Sequence, residues 1–289
     1  MRRVAFGILV LMLYQSAEGG SQDKPPTPAE QFQKLRKESD QAASSGKVLT
    51  DAERLKFVGE AYKHRSRLAV EFLKLAKKYP DDPIAVDALM QAVWQVNGTP
   101  WPVELVGEDT ARARAFELIV RDHIRSDKLG PLCQRVSYGF AREYETFLRA
   151  AMAKSPHKDV QATACLYLGH FLHNRLQRLD LCKEQPELQK DFVGLFGKEH
   201  VAGLLKQDRD KALKEAEALL EQAARKYGDA KLPGGEPVAE RAKVELFELR
   251  HLSVGKEAPD IEAEDQDGKR FKLSDYRGKV VLLDFWSYV

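Results

Sequence analysis

Thr50 to Val96 read TDAERLKFVGEAYKHRSRLAVEFLKLAKKYPDDPIAVDALMQAVWQV, and the spacing of apolar residues in this stretch decides the fold class. Leu55, Val58, Tyr62 and Arg65 fall on one face, and Leu68, Phe72, Leu75 and Tyr79 carry that face onward. This is the period of an amphipathic α-helix, not the alternation of a strand. Thr50, with Glu53 three residues later, forms a capping-box signature at the start. Pro80-Asp81-Asp82-Pro83 ends the helix, because proline cannot continue it and disfavours helical backbone one residue earlier. A second helix is predicted from Ile84 to about Val96, followed by the loop Asn97-Gly98-Thr99-Pro100-Trp101-Pro102.

The same order recurs twice. Phe147, Leu148, Ala151 and Met152 lead to Ser155-Pro156-His157-Lys158-Asp159 and then to a helical run from Val160 to Arg178. Leu213, Ala216, Leu219, Leu220 and Ala223 lead to Tyr227-Gly228-Asp229, a Pro/Gly loop, and a run from Val238 to Leu252. The breaks at Tyr79, Ser155 and Tyr227 lie 76 and 72 residues apart, about two helical-hairpin repeats each. A helix ending in an aromatic and Pro or Asp, then an Ala-rich helix, loosely resembles tetratricopeptide-type hairpins, of which only the A…Y-P part is present. The expectation is a mainly α fold, an array of antiparallel helical hairpins over residues 29–252.

The chain has 289 residues, 43% hydrophobic and 31% charged, which suits a packed core and argues against wholesale disorder. The net charge of +2 and the lack of a basic stripe with interleaved aromatics exclude nucleic acid as the expected partner. The N-terminus reads as a secretory signal peptide over residues 1–20. Arg2 and Arg3 precede the apolar run Val4 to Tyr14, and Ala17-Glu18-Gly19 offers a cleavage site. That run is too short for a bilayer span, which needs about 20 apolar residues. The expected localisation is therefore exported, periplasmic or extracellular, with no membrane span after cleavage and a linker over residues 21–28.

The three cysteines, Cys133, Cys165 and Cys182, form neither a disulfide framework nor a C-x-x-C or zinc-ligand spacing. Cys165 lies in the apolar run Ala162 to Leu172 and reads as a small core residue. One disulfide among the three stays open to an exported chain.

The last segment changes character. Gly255-Lys256-Glu257-Ala258-Pro259-Asp260 breaks the helix, and two short extended runs, Ile261 to Asp265 and Arg270 to Leu273, flank the turn dipeptide Asp267-Gly268. Ser274 to Gly278 reads as a brief turn that Ser274 can cap. Lys279 to Phe285 contains Val280-Val281-Leu282-Leu283, the apolar run of a strand covered on both faces.

The order V-G-K-x-A-P-D, then D-G-K, then L-S-D-Y-R-G-K-V-V-L-L-D-F-W, from Val254 to Trp286, resembles the start of thioredoxin-fold redoxins, the AhpC/TSA and TlpA-like thiol-disulfide oxidoreductases. A helical region followed by such a segment looks like a layout of large exported bacterial redoxins. The resemblance implies that residues 253–289 are the N-terminal fragment of a redoxin domain. It also implies a W-C-x-x-C a few residues beyond the D-F-W, at a helix N-terminus that would lower the first thiol's pKa. Here Ser287-Tyr288-Val289 follow Trp286, so no complete catalytic site is expected, and the fragment reads as truncated before its reactive cysteines. Asp284 matches the family's buried aspartate that assists proton transfer, a role left vestigial, and Trp286 matches its packing tryptophan.

Other candidates are weaker. His170 and His173, three apart on one helix face, place two imidazoles together but lack a third ligand, so no metal is expected, and no cofactor motif appears. Trp94 and Trp101 flank the proline-rich loop and read as packing residues. Lys211, Lys214, Glu215 and Glu217 read as a solvated helix face. Two functions follow: a member or fragment of an exported thiol-disulfide oxidoreductase, inactive alone, or a non-enzymatic helical scaffold offering a surface to a protein partner.

Overall fold

The computed structural model describes residues 25–41, 50–96, 110–265 and 267–284. The chain is mainly α, with one small β-hairpin at its C-terminal side. Thr27 and Glu30 open the first helix, α1 (Pro28–Gln41), with a reciprocal cap: the Glu30 carboxylate accepts the Thr27 N–H at 2.7 Å, and the Thr27 hydroxyl accepts the Glu30 N–H at 3.3 Å. The helix thus starts at Pro28, the last residue of the expected linker. α2 (Asp51–Lys78) begins directly after Thr50, and Pro80 ends it. The Asp82 carboxylate then accepts the Ile84 N–H at 2.9 Å and starts α3 (Ile84–Val96).

α2 and α3 pack as a hairpin, with Leu68, Phe72 and Leu75 buried as the periodicity predicts. Capped by Thr110, α4 (Ala111–Leu118) runs into a π-turn, Ile119–His123, and a 3-10 turn precedes α5 (Gly130–Val136). α6 (Arg142–Lys154) and α7 (Lys158–Glu184) form the second expected hairpin. α8 (Pro186–Phe196) and α9 (Lys198–Leu205) form a short excursion, and α10 (Arg209–Lys226), capped by Asp208, returns to α7. α11 (Val238–Phe247) continues into a second π-turn, Glu248–Leu252.

α7 organises the body. It is 27 residues long, about 40 Å at 1.5 Å per residue, and from Val160 to Leu176 it is buried on nearly every side rather than along one stripe. α5, α6, α8, α10 and α11 all pack on it. In a solenoid each unit touches only its chain neighbours, so the tetratricopeptide likeness remains an expectation from sequence. The main core runs from Phe32 to Leu249. A small satellite core joins Phe140, Leu179 and Val201, with Phe192 edge-on to Phe140 at 4.7 Å.

The hairpin pairs β1 (Glu262–Glu264) with β2 (Arg270–Lys272), antiparallel, with Ala263 opposite Phe271. The Asp265 N–H donates to the Lys269 carbonyl at 2.9 Å, so the connection is a three-residue loop rather than a two-residue turn. Gly268 takes φ 77, the left-handed conformation such a loop needs. Among the described residues after Leu249, none is buried.

Two expectations for this segment are corrected. Ser274 does not cap the following 3-10 turn, Leu273–Tyr276; the Asp275 carboxylate does, accepting the Lys272 N–H at 2.9 Å. Val280 to Asp284 form no strand. Val280 is fully exposed and Leu282 is 93% exposed. An apolar run becomes a strand only through neighbouring strands, and none of the described residues supplies one.

Candidate functional site

The redoxin-like segment leaves the helical body at Ser253 and folds back along its last turn. A cleft of about 600 Å³ lies at this junction, lined in part by His251, Glu257, Pro259, Asp260, Ser274 and Arg277. The Asp260 carboxylate accepts both the Ser274 hydroxyl and the Ser274 N–H at 2.8 Å, and these bonds hold its pKa below the ordinary aspartate value. Glu257 pairs with Arg277 at 2.6 Å. The A-P-D strap is thereby tied to the turn after β2, and residues 253–289 contain no cysteine. Asp284, matched by resemblance to the family's proton-transfer aspartate, is exposed. Trp286 lies outside the described residues.

The thiols sit elsewhere and are all free and buried. Cys133 lies in α5, while Cys165 and Cys182 lie in α7. Burial pushes the Cys165 thiol up to about 12 and raises those of Cys133 and Cys182 as well. Cys165 Sγ donates to the Leu219 carbonyl at 3.3 Å, which fits a core thiol and not a nucleophile.

α7 does bring His170 and His173 to one face, but each finds its own partner. His170 Nδ1 lies 2.7 Å from Glu245 Oε2, and Tyr138 stands edge-on to its ring at 4.7 Å. His173 Nε2 lies 3.2 Å from the Ser253 hydroxyl and 3.3 Å from the Gln177 amide nitrogen. Burial lowers the His173 pKa, with Glu248 the leading opposing influence. Among the described residues, no three His, Cys, Asp or Glu side chains converge as metal ligands. Sequence reasoning missed Glu245 and Glu248. Their spacing of three mirrors that of the histidines, and this was the only local signal available across 75 residues of chain.

The acidic and basic residues of α10 are not merely a solvated face. Glu215 pairs with Arg149 of α6 at 2.8 Å, and Glu217 pairs with Arg250 at 2.6 Å. Lys211 and Lys214 are exposed, as expected. Glu145 joins Arg149 to the buried Arg175 across α6 and α7. Trp94 is half-buried against the main core, in keeping with its packing role, and Trp101 lies outside the described residues.

Comparison with known proteins places the likeness where the hairpin lies. Residues 254–288 match the AhpC/TSA family. Over 36 residues the chain is 46% identical to the thiol-disulfide oxidoreductase ResA of Bacillus thuringiensis and, equally, to that of Bacillus cereus. The match covers 12% of this chain and 21% of each relative, so the chain spans about a fifth of the length of the curated relatives it matches. No solved structure matches the chain. Among the described residues, no helix is long and apolar enough to cross a membrane.

Proposed function

We propose that the chain is a member or fragment of an exported thioredoxin-like thiol-disulfide oxidoreductase of the AhpC/TSA type. In this reading residues 1–20 are a signal peptide and 21–28 a linker. Residues 29–252 form a helical domain, and residues 253–289 enter the redoxin fold. The observation that carries it is the coincidence of the family match at 254–288 with an ordered lead-in: the Asp260–Ser274 tie, the β1–β2 hairpin and the Gly268 loop.

Dithiol exchange needs a low-pKa thiolate and a resolving thiol beside it. The 289 residues contain three separate, buried, high-pKa cysteines. A polypeptide of these residues therefore does not reduce disulfides unaided. An insulin-reduction assay on the purified chain tests this. Turnover that disappears on Cys133→Ser, Cys165→Ser or Cys182→Ser overturns it. The coding DNA beyond codon 289 tests the family reading: a C-x-x-C stretch shortly downstream supports it, and its absence in every frame counts against it. Export is tested by mass spectrometry of the native protein, where retention of Phe6 to Leu13 defeats it.

A second reading takes the helical body as a protein-binding scaffold. It is favoured by the exposed apolar side chains Val244 and Phe247 of α11, with Leu252 and Val254 just beyond.

A further inference from the structure

The exposed side of α2 is a cationic stripe. Lys56, Lys63, Arg67, Lys74, Lys77 and Lys78 recur at helical spacing on the side away from Leu68, Phe72 and Leu75, and all six are exposed. From Lys56 to Lys78 the stripe runs about 33 Å along the helix. Only Glu60 and Glu71 share it, in a chain whose total charge is +2. Val70 stands among these cations, 41% exposed, between Arg67 and Lys74 on the same face. We propose that this face of α2 is a peripheral docking surface for an anionic phospholipid bilayer.

The carboxylates nearby do not neutralise the stripe. Glu60 lies 3.5 Å from Lys63 and Glu71 lies 2.8 Å from Lys74, each pair three residues apart and open to solvent. Arg67 pairs with Glu38 of α1, and Lys34, one turn before Glu38, returns a positive charge beside it. Asp81, exposed just past the helix, adds one acid at that end. The balance of the face stays positive. Exposed ion pairs of this kind contribute little, so lipid phosphates can exchange with their carboxylates at small cost.

The shape and chemistry of the face suit a bilayer better than a soluble polyanion. One straight helix presents a convex ridge rather than a groove, and a ridge meets a flat surface along its length. The face carries no aromatic on which a base could stack. It holds five lysines to one arginine, flexible point charges suited to mobile headgroups rather than planar forks suited to fixed ones. Val70 adds an apolar contact that the headgroup boundary accommodates. Because Leu68, Phe72 and Leu75 are taken up by the core, attachment is electrostatic and reversible, about fivefold in affinity for each lysine near the anionic surface. α2 packs on α1, α3 and α4, whereas the redoxin-like segment follows α11, which packs on α7 and α10. Bilayer contact through α2 does not involve that segment, and the proposal stands independently of the redoxin reading.

Sedimentation with vesicles tests the surface, using the mature chain, residues 21–289, which keeps every described element. Equimolar phosphatidylglycerol and phosphatidylcholine vesicles are compared with pure phosphatidylcholine at about 0.1 M salt and at about 1 M, where screening acts within about 3 Å. The chain is expected to bind the anionic vesicles alone and to leave them at the higher salt. Replacing three stripe lysines together, Lys74→Gln, Lys77→Gln and Lys78→Gln, should weaken binding about 100-fold, at about fivefold per lysine. Removing the same charge from exposed lysines of α10 and α11, by Lys211→Gln, Lys214→Gln and Lys243→Gln, should weaken it less than about threefold, because charges beyond about 10 Å are screened. Equal binding to both lipids, binding to neither, equal losses in the two triple variants, or tighter binding to duplex DNA or polyglutamate than to the anionic vesicles overturns the proposal.

Discussion

Gly169 in α7 lies directly against Leu220 in α10: a Cβ at Gly169 would stand 2.9 Å from Leu220 Cγ and 3.1 Å from the Ala216 carbonyl oxygen. The absence of a side chain is what lets these two helices approach so closely. Replacing the glycine has two opposed effects. Alanine gains about 1 kcal/mol of helix propensity but must displace both Leu220 and a backbone carbonyl. Gly169→Val loses most of the propensity gain and adds bulk, so it should destabilise the protein by about 1–3 kcal/mol, the usual cost of overpacking. A lowered Tm for Gly169→Val, with a smaller change for Gly169→Ala, is the expected outcome of thermal unfolding.

Glu145 joins Arg175 and Arg149, and Arg175 is almost wholly buried. Burial by itself would raise the Glu145 pKa, but Arg175 and Arg149 together hold it below the ordinary glutamate value. A carboxyl with a depressed folded pKa stabilises the protein above its unfolded value, and that contribution is lost as pH falls through the folded one. Stability should accordingly decline in acid below about pH 4.5 in the native chain, and less steeply in Glu145→Gln. Glu145→Ala, which strands the Arg175 charge, should cost about 3 kcal/mol in denaturant unfolding at neutral pH.

All three thiols are buried and hold their protons tightly. A thiol-specific chromogenic disulfide should therefore titrate no cysteine rapidly in the native chain and all three in denaturant. Rapid reaction of one cysteine in the folded protein would show local opening at that site.

Removing residues 253–289 should leave the helical body's Tm within a few degrees of the intact chain, because no described residue after Leu249 is buried. Solubility should improve, since Val280 to Leu283 present an apolar β-former to solvent. A fall of many degrees would place the segment inside the helical core.

Much of the helical body is legible in the sequence because its boundaries are enforced locally. Pro80 stops α2, Thr50 precedes its start, and the Leu68, Phe72, Leu75 face becomes the buried face. What sequence does not convey is determined at a distance. The Glu215–Arg149 and Glu217–Arg250 pairs reach between elements, so the α10 charges look like ordinary surface until the neighbouring helices are placed. The i, i+3 histidines are visible, but their carboxylate and hydroxyl partners lie 75 and 80 residues away. Val280-Val281-Leu282-Leu283 has the local composition of a covered strand, yet cover comes from other strands and not from the run itself.

The burial of α7 on nearly every side from Val160 to Leu176 bears on which changes in length the chain tolerates. One residue inserted near its middle would rotate everything beyond by about 100° around the helix axis. The side chains that meet α5, α6, α8, α10 and α11 would then face the wrong neighbours at once. A helix with one exposed side can absorb such a slip over part of its length, whereas between Val160 and Leu176 nearly every side of α7 is already packed. Related chains are thus expected to vary in length between helices and at the redoxin junction, while the span from Lys158 to Glu184 keeps a fixed count, and an aligned family offers a direct check.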